Sequence, residues 1–226
     1  MTFSESFLNS DQYYGSKYKD FMGTGNIGRM WRFIHRKMEK PFDGEFYPRI
    51  LEVGAGNGEH HKALQCSYDE YVATDIRIDI LTQSTLKNEK IRLVSADAEN
   101  LPFKDCYFDR VIITCVLPHL NSPFSAIQEL YRVTKNNGKI TIYVPCEPGL
   151  MLRLIRSFST SRKAKKMEIK NIGLIHFTEH RNYYLAINAF IRSINSENNA
   201  ELKSRYFPFR YFTWNFNLFK IYQITK

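Results

Sequence analysis

From residue 49 the chain alternates short apolar runs with longer stretches of mixed character. RILEVG, EYVATD, KIRLVSA, FDRVIIT and GKITIYV are rich in Ile, Val, Leu and Tyr. Such near-continuous hydrophobicity marks strands buried on both faces of a sheet. Between the fourth and fifth runs lies NSPFSAIQELYRVTKNNG. There Ser122 caps a helix, Pro123 opens it, Phe124, Ile127, Leu130 and Tyr131 recur at helical spacing, and Gly138 ends it. Ahead of the first strand, residues 26–40 place Ile27, Met30, Trp31, Ile34 and Met38 on one helical face. Residues 178–194 read as a helix capped by Thr178, with Tyr183, Ile187, Phe190, Ile191 and Ile194 turned inward. ELKSRYFPF and NLFKIYQIT follow as two last strands joined by an aromatic loop. The pattern predicts the α/β class: a doubly wound, mostly parallel seven-stranded sheet with an antiparallel C-terminal edge hairpin.

At 226 residues and 43% hydrophobic content, the chain can bury one substantial core. It reads as a single domain over 1–226. A helical cap covers 1–47, a ligand-binding core 48–146, a basic cover segment 147–177, and a C-terminal helix with two strands 178–226. An excess of 32 Lys and Arg over 23 Asp and Glu gives a net charge of +9, which permits an anionic partner without choosing one. Cys66, Cys106, Cys115 and Cys146 show no paired spacing, so reduced thiols are expected and neither a disulfide frame nor a metal site. The N-terminus carries no signal-peptide pattern, and the longest apolar run, VIITCVL, is too short to span a bilayer. A cytoplasmic location is the expectation.

The first strand runs into ILEVGAGNGEHHKAL, with Gly54, Gly56 and Gly58 on alternate positions. A dinucleotide loop would need its third glycine at position 59, which is Glu, and Glu52 and Glu59 would flank a pyrophosphate of their own sign. A ligand with a positive end suits this loop better. The pattern resembles motif I of the class I S-adenosylmethionine-dependent methyltransferases. Asp75 closes VATD at the end of the second strand, and SADAENLPF follows the third. FDRVIITCVLPHL and ELYRVTKNNGKITIYV are similar to the family's fourth-strand motif and its following helix and strand. The resemblance covers roughly residues 48–146 and implies a Rossmann-like methyltransferase fold with S-adenosyl-L-methionine as cofactor. It further implies cofactor contacts by Glu52, the three glycines, Asp75 (on the ribose) and Ile76 after it, Asp97 and Ala98 (on the adenine), and Cys115. Tyr14, with Tyr13, would fold over the cofactor, where an aromatic face can stabilise a cation.

The resemblance is to the small-molecule branch, which includes quinone-biosynthesis enzymes, because the motifs of the amino-methylating and catechol types are absent after strand four. Transfer to oxygen is favoured over nitrogen, and an oxygen nucleophile needs a base. His119 lies just past strand four, Glu147 directly after strand five in VPCEPG, and His180 near the strand ends with His176. His60 and His61 would open a helix after the loop, and His35, between Arg32 and Arg36, would face solvent. YYGSKY, GTGNIG and PCEPG resemble phrases of methyltransferases from bacterial surface-polysaccharide pathways, which implies a sugar or nucleotide-linked sugar as acceptor. Two alternatives stand beside this reading. One is an RNA methyltransferase with Cys115 or Cys146 as nucleophile; the other is a non-catalytic cofactor-binding scaffold. Nucleic acid is the disfavoured partner.

The segment 149–170 holds Arg153, Arg156, Arg162, Lys163, Lys165, Lys166 and Lys170 against Glu168 alone, +6 of the chain's +9. Its first half also carries Leu150, Met151, Leu152, Leu154, Ile155 and Phe158. It reads as a cover whose apolar half closes over the site. Its basic half would meet phosphates of an anionic acceptor, or an anionic membrane in peripheral contact.

Overall fold

A computed structural model describes residues 20, 24–84, 86–169, 172–211 and 213–226, without the side chains of 26–27 and 174–177. Tyr13, Tyr14 and the His176 side chain lie outside the described residues. Helix α1 (Gly25–Glu39) precedes β1 (Phe46–Val53), β2 (Ser67–Asp75), the short α2 (Ile78–Thr82), β3 (Ile91–Ser95) and β4 (Phe108–Thr114). Then come α3 (Pro123–Val133) and β5 (Thr134–Pro145). A helical run follows as α4 (Leu150–Ile155), a π turn (Arg156–Thr160) and α5 (Ser161–Lys166). Helices α6 (Ile172–Glu179) and α7 (Tyr184–Glu197) lead to β6 (Glu201–Phe207) and β7 (Phe219–Thr225).

The seven strands form one sheet in the order β3-β2-β1-β4-β5-β7-β6. The first five are mutually parallel, and β7 runs antiparallel to both β5 and β6. From β1 the chain winds outward to β2 and β3, then returns to β4 on the other side. The switch in winding falls between β1 and β4, the place where open α/β sheets bind ligands. The strand residues alternate between two dry layers, which is why the runs are apolar throughout. Leu51, Val53, Val111, Ile113 and Ile142 pack on one face against Ile127 and Leu130 of α3 and Ile187 and Ile191 of α7. On the other face, Tyr143, Phe219 and Ile221 meet Ile34 and Met38 of α1, and Ile50, Tyr71, Ala73 and Ile112 form a further cluster.

Local sequence sets the element ends. Ser122 Oγ accepts the Ser125 N–H and caps α3. Gly138 does not end that helix. Thr134 already pairs with Phe108 and its hydroxyl donates to the Leu130 carbonyl at 2.6 Å, so strand pairing takes over at Val133. The C-terminal helix starts at Tyr184 rather than Thr178, which belongs to α6. Its inward aromatic is therefore Tyr184, and Tyr183 is exposed. No helix opens at His60: β2 begins at Ser67, and the connection forms only a 3-10 turn at His61–Ala63. His35 is buried, because it lies one turn after Trp31 on the inner face of α1 and packs edge-on against that ring at 5.4 Å.

Candidate functional site

The carboxyl ends of β1, β2, β4 and β5 converge on the sequence motifs. After β1 the loop takes left-handed backbone at Gly54 (φ 70°), Gly56 (φ 49°) and Gly58 (φ 74°). At Gly54 a Cβ would stand 2.2 Å from Val116 Cγ2, so glycine there lets β4's following loop approach the backbone. At Gly56 a Cβ would meet nothing within 4 Å, leaving open space over a backbone that only glycine adopts easily. Asp75 ties the second strand to this loop. Its Oδ2 accepts the Gly56 N–H and its Oδ1 the Arg77 N–H, each at 2.9 Å. Burial raises its carboxyl above the ordinary range, against those two hydrogen bonds. A carboxylate held this way still has lone pairs for a diol. Ile76 beside it is exposed, Ala98 is buried, and Asp97 is exposed with Oδ1 accepting the Glu99 N–H at 2.9 Å. A glycine cradle with room above it, a strand-end acid and an open apolar side chain fit an adenosyl cofactor.

Glu52 does not open onto this cradle. It is 1% exposed and accepts the Tyr71 hydroxyl at 2.5 Å. Burial pushes its carboxyl up, and the Tyr71 hydroxyl is pushed well up as well, so the phenol stays the donor. Behind it lies a second buried network that sequence reasoning missed. Arg110 of β4 donates to both oxygens of Glu39 of α1 at 2.7 and 2.6 Å, and His60 Nε2 joins Glu39 at 2.9 Å. His60 directly follows the glycine loop, so this network links the N-terminal helix to the cradle. The one signal for it was Arg110 itself, a charge inside the apolar run FDRVIIT.

His119, Glu147 and His180 come together. His180 Nδ1 lies 2.5 Å from Glu147 Oε2, and the His119 and His180 rings meet edge to face at 4.5 Å. The other Glu147 oxygen is ion-paired with the Arg156 guanidinium. Glu147 is 5% exposed, and burial would raise its carboxyl, but His180 and Arg156 together hold it below the usual range. His119 is pushed down to about 3 by burial and by the neighbouring His180, and is neutral at physiological pH. Arg156 was legible only as one cation in a basic run, and its partner became visible once the run folded back over β5.

Cys115 follows β4 with φ 56°, its N–H bonded to the Tyr143 carbonyl at 3.0 Å. Burial drives its thiol well up, and that of Cys146 up to about 12. Neither cysteine is poised as a thiolate, which removes the support for a cysteine nucleophile. Among the described residues no group of three or more His, Cys, Asp or Glu side chains is arranged to hold a metal ion. No helix formed by the described residues is long and apolar enough to cross a membrane.

Residues 51–142 match a sequence model of the methyltransferase domain. A demethylmenaquinone methyltransferase of Clavibacter sepedonicus is 33% identical over 124 residues, 54% of this chain and 49% of that protein. A ubiquinone/menaquinone biosynthesis C-methyltransferase of Coxiella burnetii is 32% identical over 142 residues, 58% of this chain and 54% of that one. The chain thus spans about half the length of the curated relatives it matches. The fold is similar to that of a plantazolicin methyltransferase solved in complex with SAH, with a TM-score of 0.66 at 15% identity, covering 96% of this chain and 94% of that one. With the cradle, the strand order and the domain match in agreement, residues 51–142 carry a methyltransferase domain and the chain has the class I S-adenosylmethionine-dependent methyltransferase fold.

Proposed function

We propose that the protein transfers a methyl group from S-adenosylmethionine to a small acceptor bearing an acidic hydroxyl, with Glu147 and His180 as the base. The observation that carries this reading is the Glu147–His180 pair at the strand ends, 2.5 Å apart and nearly closed to solvent. Gly54, Gly56, Gly58, Asp75, Ile76, Asp97 and Ala98 would hold the cofactor. Cys115, directly after β4 and within electrostatic reach of Glu147, would contact the cofactor as well, and Glu52 stiffens β1 beneath the loop. When bound, S-adenosylmethionine supplies an activated methyl group on a sulfur that leaves as a neutral thioether.

The chain's own residues do the rest. Glu147, held ionised by the Arg156 ion pair and the His180 hydrogen bond, fixes the His180 ring through Nδ1. A proton taken up by the His180 ring therefore remains paired with a carboxylate, which favours removal of the acceptor's proton. His119, neutral and packed on His180, is too weak a base and serves to orient its neighbour. Holding nucleophile and methyl group in line supplies much of the acceleration, about 7–11 kcal/mol in well-oriented systems.

Oxygen is the accepting atom in the leading reading. A second reading is transfer to a ring carbon beside the ionised hydroxyl, supported by the names of the quinone relatives. The sugar acceptor expected from short sequence phrases draws no such support. An anionic acceptor would suit the basic segment 149–170.

The test is calorimetry with S-adenosylmethionine, followed by labelled methyl transfer to hydroxylated aromatic and quinol acceptors. One-site binding is expected, weakened roughly tenfold to hundredfold in Asp75→Ala through loss of a charged hydrogen-bond acceptor. Product NMR separates O- from C-methylation. No cofactor binding by the wild type would refute the reading at its base.

A further inference from the structure

The helical run over 150–166 is apolar on both sides. Its inner side is accounted for: Leu152 is buried, Met151 and Ile155 pack beside it, and Thr160 and Ala164 continue the buried line. Its outer side is not. Leu150, Leu154 and Phe158 recur every four residues and stand exposed, Leu154 at 47% and Phe158 at 61%. Core packing needs none of these three. A contiguous exposed apolar ridge on a helix marks an interaction surface rather than a scattered surface residue.

A second element continues the ridge. The Leu150 N–H donates to Asn215 Oδ1 at 2.8 Å, so the aromatic loop between β6 and β7 abuts the start of the run. That loop exposes Phe209, Phe216 and Tyr211, the last at 91%. Charge surrounds both elements with one sign. Arg153, Arg162, Lys165 and Lys166 are exposed along the run, and Arg210 sits beside Tyr211 in the loop. Residues 150–167 and 202–217 contain no Asp or Glu at all.

We propose that this surface docks on an anionic phospholipid bilayer. Large apolar and aromatic side chains projecting between cations, with no acid among them, are what an interfacial segment presents to acyl chains and headgroups together. An acidic protein would satisfy the cations but leave the projecting Leu154, Phe158 and Tyr211 without a hydrophobic partner. A single-stranded nucleic acid would satisfy the cations and stack on the aromatics, yet leave the leucines in water. Arg156 lies half a turn from Leu154 and reaches Glu147, so docking would bring the candidate site to the bilayer surface. The acceptor class that follows is an amphiphile resident in the membrane, with its reacting hydroxyl at the headgroup level. The surface stands independently of the proposed reaction; the acceptor class rests on it.

The experiment is co-sedimentation of the full chain with vesicles of phosphatidylcholine alone and of phosphatidylcholine mixed equally with phosphatidylglycerol. Binding is expected to the mixed vesicles, weakened by salt, and little to phosphatidylcholine alone. The double variant Leu154→Ser/Phe158→Ser should partition about tenfold less or weaker still, since two exposed side chains lose their burial. Both positions are exposed, so the variant should melt with the wild type, and calorimetry with S-adenosylmethionine should be unchanged. No sedimentation with mixed vesicles, or equal sedimentation of the double variant, overturns the proposal. So does retention of single-stranded RNA without vesicle binding. Vesicle binding by a protein that fails to bind S-adenosylmethionine would sink the reaction and leave the surface standing.

Discussion

Glu39→Gln tests the network under the cofactor loop. The wild-type carboxylate receives both guanidinium nitrogens of Arg110 at 2.7 and 2.6 Å, and both side chains are 0% exposed. Arg110 also lies 3.7 Å from the centroid of the Phe42 ring and donates to Cys66 Sγ at 3.1 Å. Burial alone would raise the Glu39 carboxyl, but hydrogen bonds and charge from His60 and Arg110 outweigh it and bring it down to about 2. Glutamine keeps the shape but sets an amide N–H against a guanidinium N–H and leaves the Arg110 charge unpaired in the interior. Removing one partner of a buried pair costs about 3–5 kcal/mol. For a chain of this size, 1 kcal/mol moves Tm by about 2–4 °C, so a fall of roughly 6–20 °C is expected. Thermal and urea melts measure it. The double variant Glu39→Met/Arg110→Met should recover most of the loss, because apolar residues of similar volume often replace a buried pair without penalty. A Glu39→Gln protein within about 1 kcal/mol of wild type would refute the claim that the carboxylate compensates a buried charge.

Three further outcomes follow from the structure. Gly54→Ala should fail to fold or melt far below wild type, because its Cβ would fall 2.2 Å from Val116 Cγ2 at φ 70°. Gly56→Ala meets open space, so the strain of φ 49° should cost about 1–2 kcal/mol while cofactor affinity falls more sharply, read by melts and calorimetry side by side. In acid, burial pushes both His35 and His119 down to about 3, so the unfolded chain binds protons that the folded chain refuses below the ordinary value of 6.5. Their contribution is complete above that value and is lost as pH falls toward 3, at up to about 1.4 kcal/mol per pH unit for each histidine. Urea midpoints should decline from pH 7 to 5, and His35→Leu should flatten the decline; an unchanged slope would count against His35.

Legibility in the sequence followed the range of the interactions. The sheet was readable because a parallel strand buried on both faces carries its whole environment in its own residues, as RILEVG and FDRVIIT do. The start of α3 was readable because Ser122 caps within its own turn, whereas its end was not, since Thr134 pairs across to Phe108. His35 deceived for a related reason. Its neighbours Arg32 and Arg36 are exposed, but a helix groups residues by turns, and the relevant neighbour was Trp31.

The site divides along the same line. Gly54, Gly56, Gly58 and Asp75 sit at strand ends whose order is fixed by the winding, so their meeting follows from topology alone. His119 and Glu147 also meet this way, as the residues just after β4 and β5. Arg156 and His180 do not: they arrive from the segments after β5 that fold back over the sheet, and while His180 stood out as a candidate near the strand ends, Arg156 was only one cation of a basic run. Glu147 is a buried acid, and so is Glu52, whose partner Tyr71 stands 19 residues away on the adjacent strand. Arg110 is the same signal with the sign reversed, and its partner Glu39 is 71 residues distant. An ionisable residue inside an apolar run requires compensation from somewhere in the chain. Each of these three residues found it on a different element: Glu52 on the neighbouring strand β2, Arg110 on the N-terminal helix, and Glu147 on the basic cover. The charges that break the hydrophobic pattern are therefore where the sheet, the cap and the cover are joined.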